Sequence, residues 1–369
     1  MAMSQFIPLA ELKLLLKENH VDERFKGQAR SRLIFSALLE PFRRYEQLRY
    51  GSLMKHTQLK QPPVFLLGYG RSGTTHLHYL FSKDTRFGVL TNYQAATHPV
   101  SLIGRGWLEK ILQIMMPSTR PMDNVALTLD SPQEEELALL NITRHASLHF
   151  LSFPKNLADY DRYVCQLGKD AKDLKIWQKA YMEVLKKATI LSGGKRLALK
   201  TPTNTGRLNI LNDMFPGAKY VNIVRNPYRV YQSMLNMYRK ILPDETLQDF
   251  EWESIDSWVL DCYSSMMQKY LRDRNLINPS DLIEIKYEDL DERPMEILPA
   301  IYTQLQLGDF EQARPALESY LDSLGTFEKN SFQFPDEVIE KVNKHWGFAF
   351  EAFGYKKLET EKGFEIEAA

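Results

Sequence analysis

Short continuous apolar runs alternate along this chain with longer stretches whose apolar residues recur every three or four positions. Val64–Phe65–Leu66–Leu67 is the clearest run, preceded by Pro62 and Pro63 and closed by Gly68; it reads as a strand buried on both faces. Phe87–Leu90, Leu197–Leu199, Tyr220–Val224 and Leu282–Tyr287 read as further strands. Between them the period changes to that of a helix. Leu77, Leu80 and Phe81 form one stripe, and Leu174, Trp177, Tyr181, Leu185 and Ala188 another, which Gly193–Gly194 ends. A third runs from Glu253 to Leu271, with Ile255, Trp258, Val259, Cys262, Tyr263, Met266 and Tyr270 inward. Strands alternating with helices predict an α/β chain with a central parallel sheet.

Two stretches lie outside that alternation. Residues 8–58 carry helical stripes (Leu9, Leu12, Leu15 and Leu16; then Leu33, Leu38, Leu39, Phe42 and Tyr45) and no strand signal. No linker follows, so residues 1–60 are expected to pack on the main domain, 61–369, with a membrane-surface role as the alternative. Residues 100–170 read as a mainly helical insertion. Leu102 to Met116 is apolar around much of its circumference, as a buried helix or a pocket wall would be. Arg120–Asn124 follows it, and Ser131 with Glu134 has the spacing of a capping box.

Charge and cysteine content narrow the classes. Lys plus Arg and Asp plus Glu are 47 each, so no global basic field argues for nucleic acid, and any anion site is local. Two cysteines, Cys165 and Cys262, are too few for a metal cluster or a disulfide framework. No stretch reaches the ~18 consecutive apolar residues of a membrane span. The first residues lack a basic region followed by a secretory apolar segment. A cytoplasmic enzyme is the expectation.

The chemistry concentrates after the first strand. Gly68–Tyr69–Gly70–Arg71–Ser72–Gly73–Thr74–Thr75 joins strand to helix, an order in which backbone N–H groups and a helix N-terminus converge on an anion. The glycine spacing is that of a nucleotide-binding P-loop, but Thr74 stands where the lysine belongs and the cation has moved to Arg71. Lys200 ends the Leu197–Leu199 strand. Arg225 ends the Tyr220–Val224 strand and leads through Asn226–Pro227 to Ser233. The ends of parallel strands are where open α/β sheets bind ligands.

GYGRSGTTHLHYL, with K-T-P at Lys200 and R-N-P…S from Arg225 to Ser233, resembles sulfotransferases that use 3′-phosphoadenosine 5′-phosphosulfate (PAPS). The likeness is to the bacterial branch with RSGTT loops and to tyrosylprotein sulfotransferases, and it extends over roughly residues 62 to 355. It implies a P-loop NTPase-like three-layer fold and PAPS as sulfuryl donor, with no metal. It implies in-line transfer to a hydroxyl or amine of a small-molecule or lipid-like acceptor. Gly70, Arg71, Ser72, Gly73, Thr74 and Thr75 would hold the 5′-phosphosulfate, and Arg225 and Ser233 the 3′-phosphate. Tyr287 would either touch the nucleotide or serve packing. Lys200 and Arg71 would stabilise the transferring group. Relatives commonly place a glutamate base a few residues past the second strand, where this chain has Gln94. His98 is therefore the expected base, with a carboxylate among Glu134, Glu135 and Glu136, Glu135 first, as the rival. Lys329–Phe332 resembles the segment that covers the cofactor.

Two other classes compete: a P-loop kinase or nucleotide hydrolase, and a non-catalytic nucleotide-binding protein of the same fold. A kinase would need Mg²⁺, the P-loop lysine and a strand-end aspartate. This chain has Thr74 and Arg225 at those positions.

Overall fold

The computed structural model describes residues 3–115, 128–324 and 334–360. Arg120–Asn124 and Lys329–Phe332, singled out above, lie outside the described residues.

Five strands form one parallel sheet: β1 (Val64–Leu67), β2 (Phe87–Gly88), β3 (Arg196–Lys200), β4 (Lys219–Val224) and β5 (Leu282–Lys286), in the order β2-β3-β1-β4-β5. The register sets Leu66 beside Lys200 and Val224 beside Lys286, so the chain leaves all the central strands along one edge.

The helices, in chain order, are α1 (Leu9–Glu18), α2 (Lys26–His56), α3 (Thr74–Lys83), α4 (Asn92–Ala96) and α5 (Trp107–Met115). Next come α6 (Glu135–Leu140), α7 (Leu157–Asp161), α8 (Ala171–Leu191), α9 (Leu208–Met214) and α10 (Pro227–Glu245). The chain closes with α11 (Trp252–Asp273), α12 (Tyr287–Glu292), α13 (Pro294–Gln304), α14 (Arg314–Ser323) and α15 (Asp336–Phe353). Among the described residues no helix is long and apolar enough to cross a membrane.

Successive residues of a strand face opposite ways, and two cores result. Phe65, Leu67, Leu197, Leu199 and Tyr220 pack with α8–α11, α15 and the 138–167 region. Val64, Leu66, Ala198, Val221 and Ile223 pack with α3, α13 and α14. Sheet between two helical layers is the P-loop NTPase-like arrangement expected for the α/β chain.

Four local expectations change. The strand expected over Phe87–Leu90 pairs only at Phe87 and Gly88, because Leu90 instead accepts a bond through its carbonyl from Gln133 N (2.7 Å). Tyr287 opens α12 rather than closing β5. Ser131 caps no helix: its hydroxyl bonds Thr128, and Glu134 is the residue preceding α6. Among the described side chains of α5 only Leu108 and Leu112 are buried, while Trp107, Ile111 and Ile114 face outward.

Candidate active site

The loop after β1 needs its glycines at two places. At Gly68 (φ +140°) a Cβ would lie 2.4 Å from Ile223 O, and at Gly73 (φ +93°) 2.2 Å from the Tyr287 ring. A side chain at either position would force strand or ring away. Gly68 N donates to Thr205 Oγ1 (2.8 Å), which fixes the loop's entry. Gly73 precedes α3, whose first amides carry no partner from their own helix and favour an anion.

Three cations surround that helix end. Arg71 takes the left-handed conformation (φ 67°) and its Nε donates to Ser233 Oγ at 2.9 Å. Arg225 leaves β4, donates from Nη1 to Arg71 O (3.2 Å), and lies 4.2 Å over the Tyr287 ring. Its place is set by the next residue: Asn226 caps α10 through Tyr228 N and Arg229 N, while its own N–H donates to Glu288 Oε1 (3.0 Å). Burial holds the Arg225 guanidinium below its ordinary pKa, against the opposing pull of Tyr287 and Glu288. The Arg225 Nε is buried without a hydrogen-bond partner, a donor that a bound phosphate oxygen would satisfy.

Lys200, the third cation, is buried at the end of β3. Its Nζ donates to Glu134 Oε1 at 2.6 Å and to Thr75 Oγ1 at 3.4 Å. Glu134 comes from the insertion, and backbone bonds bring it here. Asn92 N donates to Ser131 O and Tyr93 N to Leu129 O, and Gln133 N reaches Leu90 O, so residues 129–133 run beside 90–93.

A cavity of about 810 Å³ opens from this point. Arg71, Thr75 and Glu134 are in its wall, and most of the remainder is apolar, including Phe6, Phe150, Tyr238 and Trp258. Met3, Met234, Met237 and Met266 add four flexible side chains that adapt to an occupant's shape.

A model of the sulfotransferase family matches residues 62–312, well over half of the chain. The chain belongs to the sulfotransferase family. Over 86% of its length this sulfotransferase is 29% identical to the omega-hydroxy-beta-dihydromenaquinone-9 sulfotransferase Stf3 of Mycobacterium tuberculosis and of Mycobacterium bovis, covering 81% of each. In fold it resembles the sulfotransferases STF9 of Mycobacterium avium (TM-score 0.67, 17% identity, 95% of this chain and 97% of that one) and STF1 of Mycobacterium tuberculosis (TM-score 0.63, 18% identity, 92% and 91%). It is a PAPS-dependent enzyme of the P-loop NTPase-like fold.

The sulfotransferase fold brings together Gly70, Arg71, Ser72, Gly73, Thr74, Thr75, Lys200, Arg225, Ser233 and Tyr287. Two residues expected at the chemistry stand elsewhere. His98 lies in a short turn under α2 and α8, fully buried and outside the cavity wall, and neither ring nitrogen has a hydrogen-bond partner. Burial, with Lys187 close by, pushes its pKa well below the ordinary histidine value. Sealed from the cavity, the ring has no contact with an acceptor bound there. Glu135 is also buried and outside that wall, and its Oε2 accepts from Thr201 Oγ1. Burial pushes its pKa up to about 7, against the Thr201 bond.

Glu136 is a structural anion. Arg207, buried with it, donates to Oε2 (2.6 Å) and Oε1 (3.2 Å), and Ser147 donates twice to Oε1. Glu134 alone of the three both lines the cavity and meets Lys200. The sequence reading kept it in the acidic run but put Glu135 first among the three. It missed Tyr69 and the α10 residues Met234, Met237 and Tyr238 as cavity wall. The signal for the last three was their helical spacing directly after Ser233.

Proposed function

We propose that this sulfotransferase moves the sulfuryl group of PAPS onto a hydroxyl of an apolar, lipid-like acceptor, with Glu134 as general base and Lys200 as the cation at the transferring group. One observation carries the reading: Gly70, Arg71, Thr74 and Thr75 of the phosphate loop, Glu134 and a mostly apolar hollow belong to a single cavity, with Lys200 just behind the wall and bonded to Thr75 and Glu134. The volume suits a drug-sized or larger apolar molecule. The similar mycobacterial enzyme is named for a menaquinone derivative bearing a terminal hydroxyl, which supports an acceptor of this kind.

The residues fit the donor. The loop runs into the N-terminus of α3, and the buried Nε of Arg225 lacks an acceptor. In this reading the amides of residues 71–75 and the hydroxyls of Thr74 and Thr75 hold the 5′ end. Arg225 and Ser233 hold the 3′-phosphate, and Tyr287 supports Arg225 from beneath. The donor supplies an activated sulfuryl group, whose bond to the 5′-phosphate oxygen breaks as the bond to the acceptor oxygen forms. Glu134 takes the acceptor's O–H proton. Lys200, between Thr75 and Glu134, and Arg71 stabilise the negative charge that collects on the phosphate side, as preorganised cations. These cations take the part a metal plays in phosphoryl transfer, so the reaction is proposed to be metal-independent. The apolar wall keeps water from the donor.

The test is to incubate the enzyme with PAPS, in EDTA and detergent, with a long-chain isoprenoid alcohol, a short phenol and a sugar. Products are read by mass spectrometry. Sulfation of the isoprenoid alcohol well above the other two is expected. Transfer confined to the sugar would sink the acceptor reading, and a strict need for Mg²⁺ would sink the metal-independent one.

A further inference from the structure

The helix α2 carries apolar residues on both sides. Its 31 residues span about 46 Å; inward, Leu33, Phe35 and Leu39 are half-buried against apolar clusters, and apart from Ala29 its fully buried side chains are polar. Arg32 donates to Ser152 Oγ and Glu245 O, Ser36 to Ile7 O, and Arg43 to Phe6 O and Ile7 O. Glu46 pairs with Lys187 and accepts from Leu102 N and Ile103 N. The stripe turned to solvent is Ile34, Leu38, Phe42, Tyr45 and Leu48, at steps of four, four, three and three; Leu38 is 66% and Leu48 85% exposed. A water-facing helix has the opposite pattern.

The stripe continues onto α5. Phe42 and Trp107 meet with ring centroids 5.8 Å apart, and Ile111 and Ile114 extend the outward face, Ile114 being 87% exposed. So large a contiguous apolar surface marks an interaction site rather than ordinary scatter.

Charge identifies the occupant. Exposed cations flank the stripe: Arg30, Arg44, Arg49 and Lys55 on α2, with Arg105 and Lys110 at α5. No carboxylate of α2 is exposed, since Glu46 is buried and the half-buried Glu40 binds Arg43 and Leu9 N. Glu109 of α5 is half-buried and accepts from Gly106 N. The nearby exposed acid Glu23 is paired with Lys26, and Glu183 of α8 stands 4.0 Å from the His98 ring. A second copy meeting this face about a two-fold axis would set cations against cations.

We infer that α2 and α5 form a docking face for an anionic phospholipid bilayer, with the apolar stripe lying in the interface and the cations at the headgroups. Leu112, on the inner side of α5, lines the catalytic cavity. The docked enzyme thus holds its cavity beside the phase into which an apolar acceptor partitions. That last step rests on the lipid-acceptor reading; the docking itself rests on the surface alone.

The test is flotation of the full chain with phosphatidylglycerol-containing vesicles and with pure phosphatidylcholine vesicles, at low and high salt. Wild type is expected to float with the anionic vesicles and to be released by salt. The Leu48→Asp/Ile114→Asp variant is expected to lose at least tenfold in partitioning, while its thermal stabilisation by the desulfated nucleotide PAP and its transfer to a detergent-solubilised acceptor stay at wild-type levels. Arg44→Glu/Arg49→Glu should abolish the preference for anionic lipid. Failure of wild type to float, or undiminished flotation of the aspartate variant, overturns the proposal. So does a wild-type dimer by light scattering that the variant converts to monomer without any vesicle binding, because the occupant is then a second copy. A wild type that floats but sulfates no lipid alcohol leaves the docking face in place and removes the acceptor reading instead.

Discussion

The two flanks of the sheet's C-terminal edge are built on different principles. On the β4 and β5 flank every group of the proposed 3′-phosphate seat follows its strand directly: Arg225 after Val224, Ser233 two turns into α10, Tyr287 after Lys286. Position there is inherited from the sheet. On the β3 flank Lys200 also ends its strand, but its partner Glu134 arrives from 66 residues away, and the cavity beyond draws on residues from Met3 to Met266. A charge seat can be made by local chain geometry, whereas a hollow must be assembled from distant walls. Grip on the donor and reaction with the acceptor should therefore be separable by mutation.

The largest expected effect is on the acceptor flank. Glu134→Gln should lower kcat by about 10²–10⁴-fold, the usual worth of a general base, and leave PAP affinity nearly unchanged. His98→Asn should turn over within a few fold of wild type; if the histidine variant loses turnover and Glu134→Gln keeps it, the two flanks have been drawn wrongly. Next comes Lys200→Ala, where loss of a preorganised cation should cost about 10²–10³ in kcat. A variant turning over normally would remove Lys200 from the chemistry.

Across the sheet the readout changes from rate to affinity. Arg225→Ala should weaken PAP by about 1.5–3 kcal/mol, the scale of a charged hydrogen bond. An analogue lacking the 3′-phosphate should bind the variant as it binds wild type. Equal losses for both nucleotides, measured by calorimetry, would make Arg225 a support for the loop.

The effect furthest from the chemistry is one of stability. Glu135 has its folded-state pKa raised from an ordinary 4.5 to about 7 by burial, so the folded protein binds more protons than the unfolded chain between those values. Stability should therefore fall as pH rises from about 4.5 through 7, with a slope approaching 1.4 kcal/mol per pH unit from this group. Glu135→Gln should flatten that part of a Tm-versus-pH curve. An unchanged slope would mean that Glu135 does not titrate there.

How much of this the sequence carried follows the same division. The strand β1, the glycine loop, Lys200 and the Arg225–Ser233 pair were legible because each is a short segment whose geometry depends on its own residues. The three carboxylates Glu134, Glu135 and Glu136 were not separable. Glu134, extended just before the helix, and Glu136 both line the cavity, but only Glu134 meets Lys200, whereas Glu135 turns to Thr201 and Glu136 is held by Arg207. His98 had the right chemistry and position along the chain, but the packing of α2 and α8 sealed it in. The case of α2 shows a further limit. Periodicity identified Leu38, Phe42 and Tyr45 as one stripe, yet a stripe does not say whether it faces inward. That was decided by Arg32, Ser36, Arg43 and Glu46, which find their partners in distant segments.

The separation of the two flanks is tested most directly by single-turnover transfer at rising PAPS concentration, with the acceptor held saturating, for Arg225→Ala and Glu134→Gln side by side. Arg225→Ala should need more donor but approach the wild-type rate as the donor saturates. Glu134→Gln should saturate at the wild-type donor concentration with a rate at least about 10²-fold lower. Recovery of both variants at high donor, or of neither, would contradict the division of the site into a phosphate grip and a reacting pair.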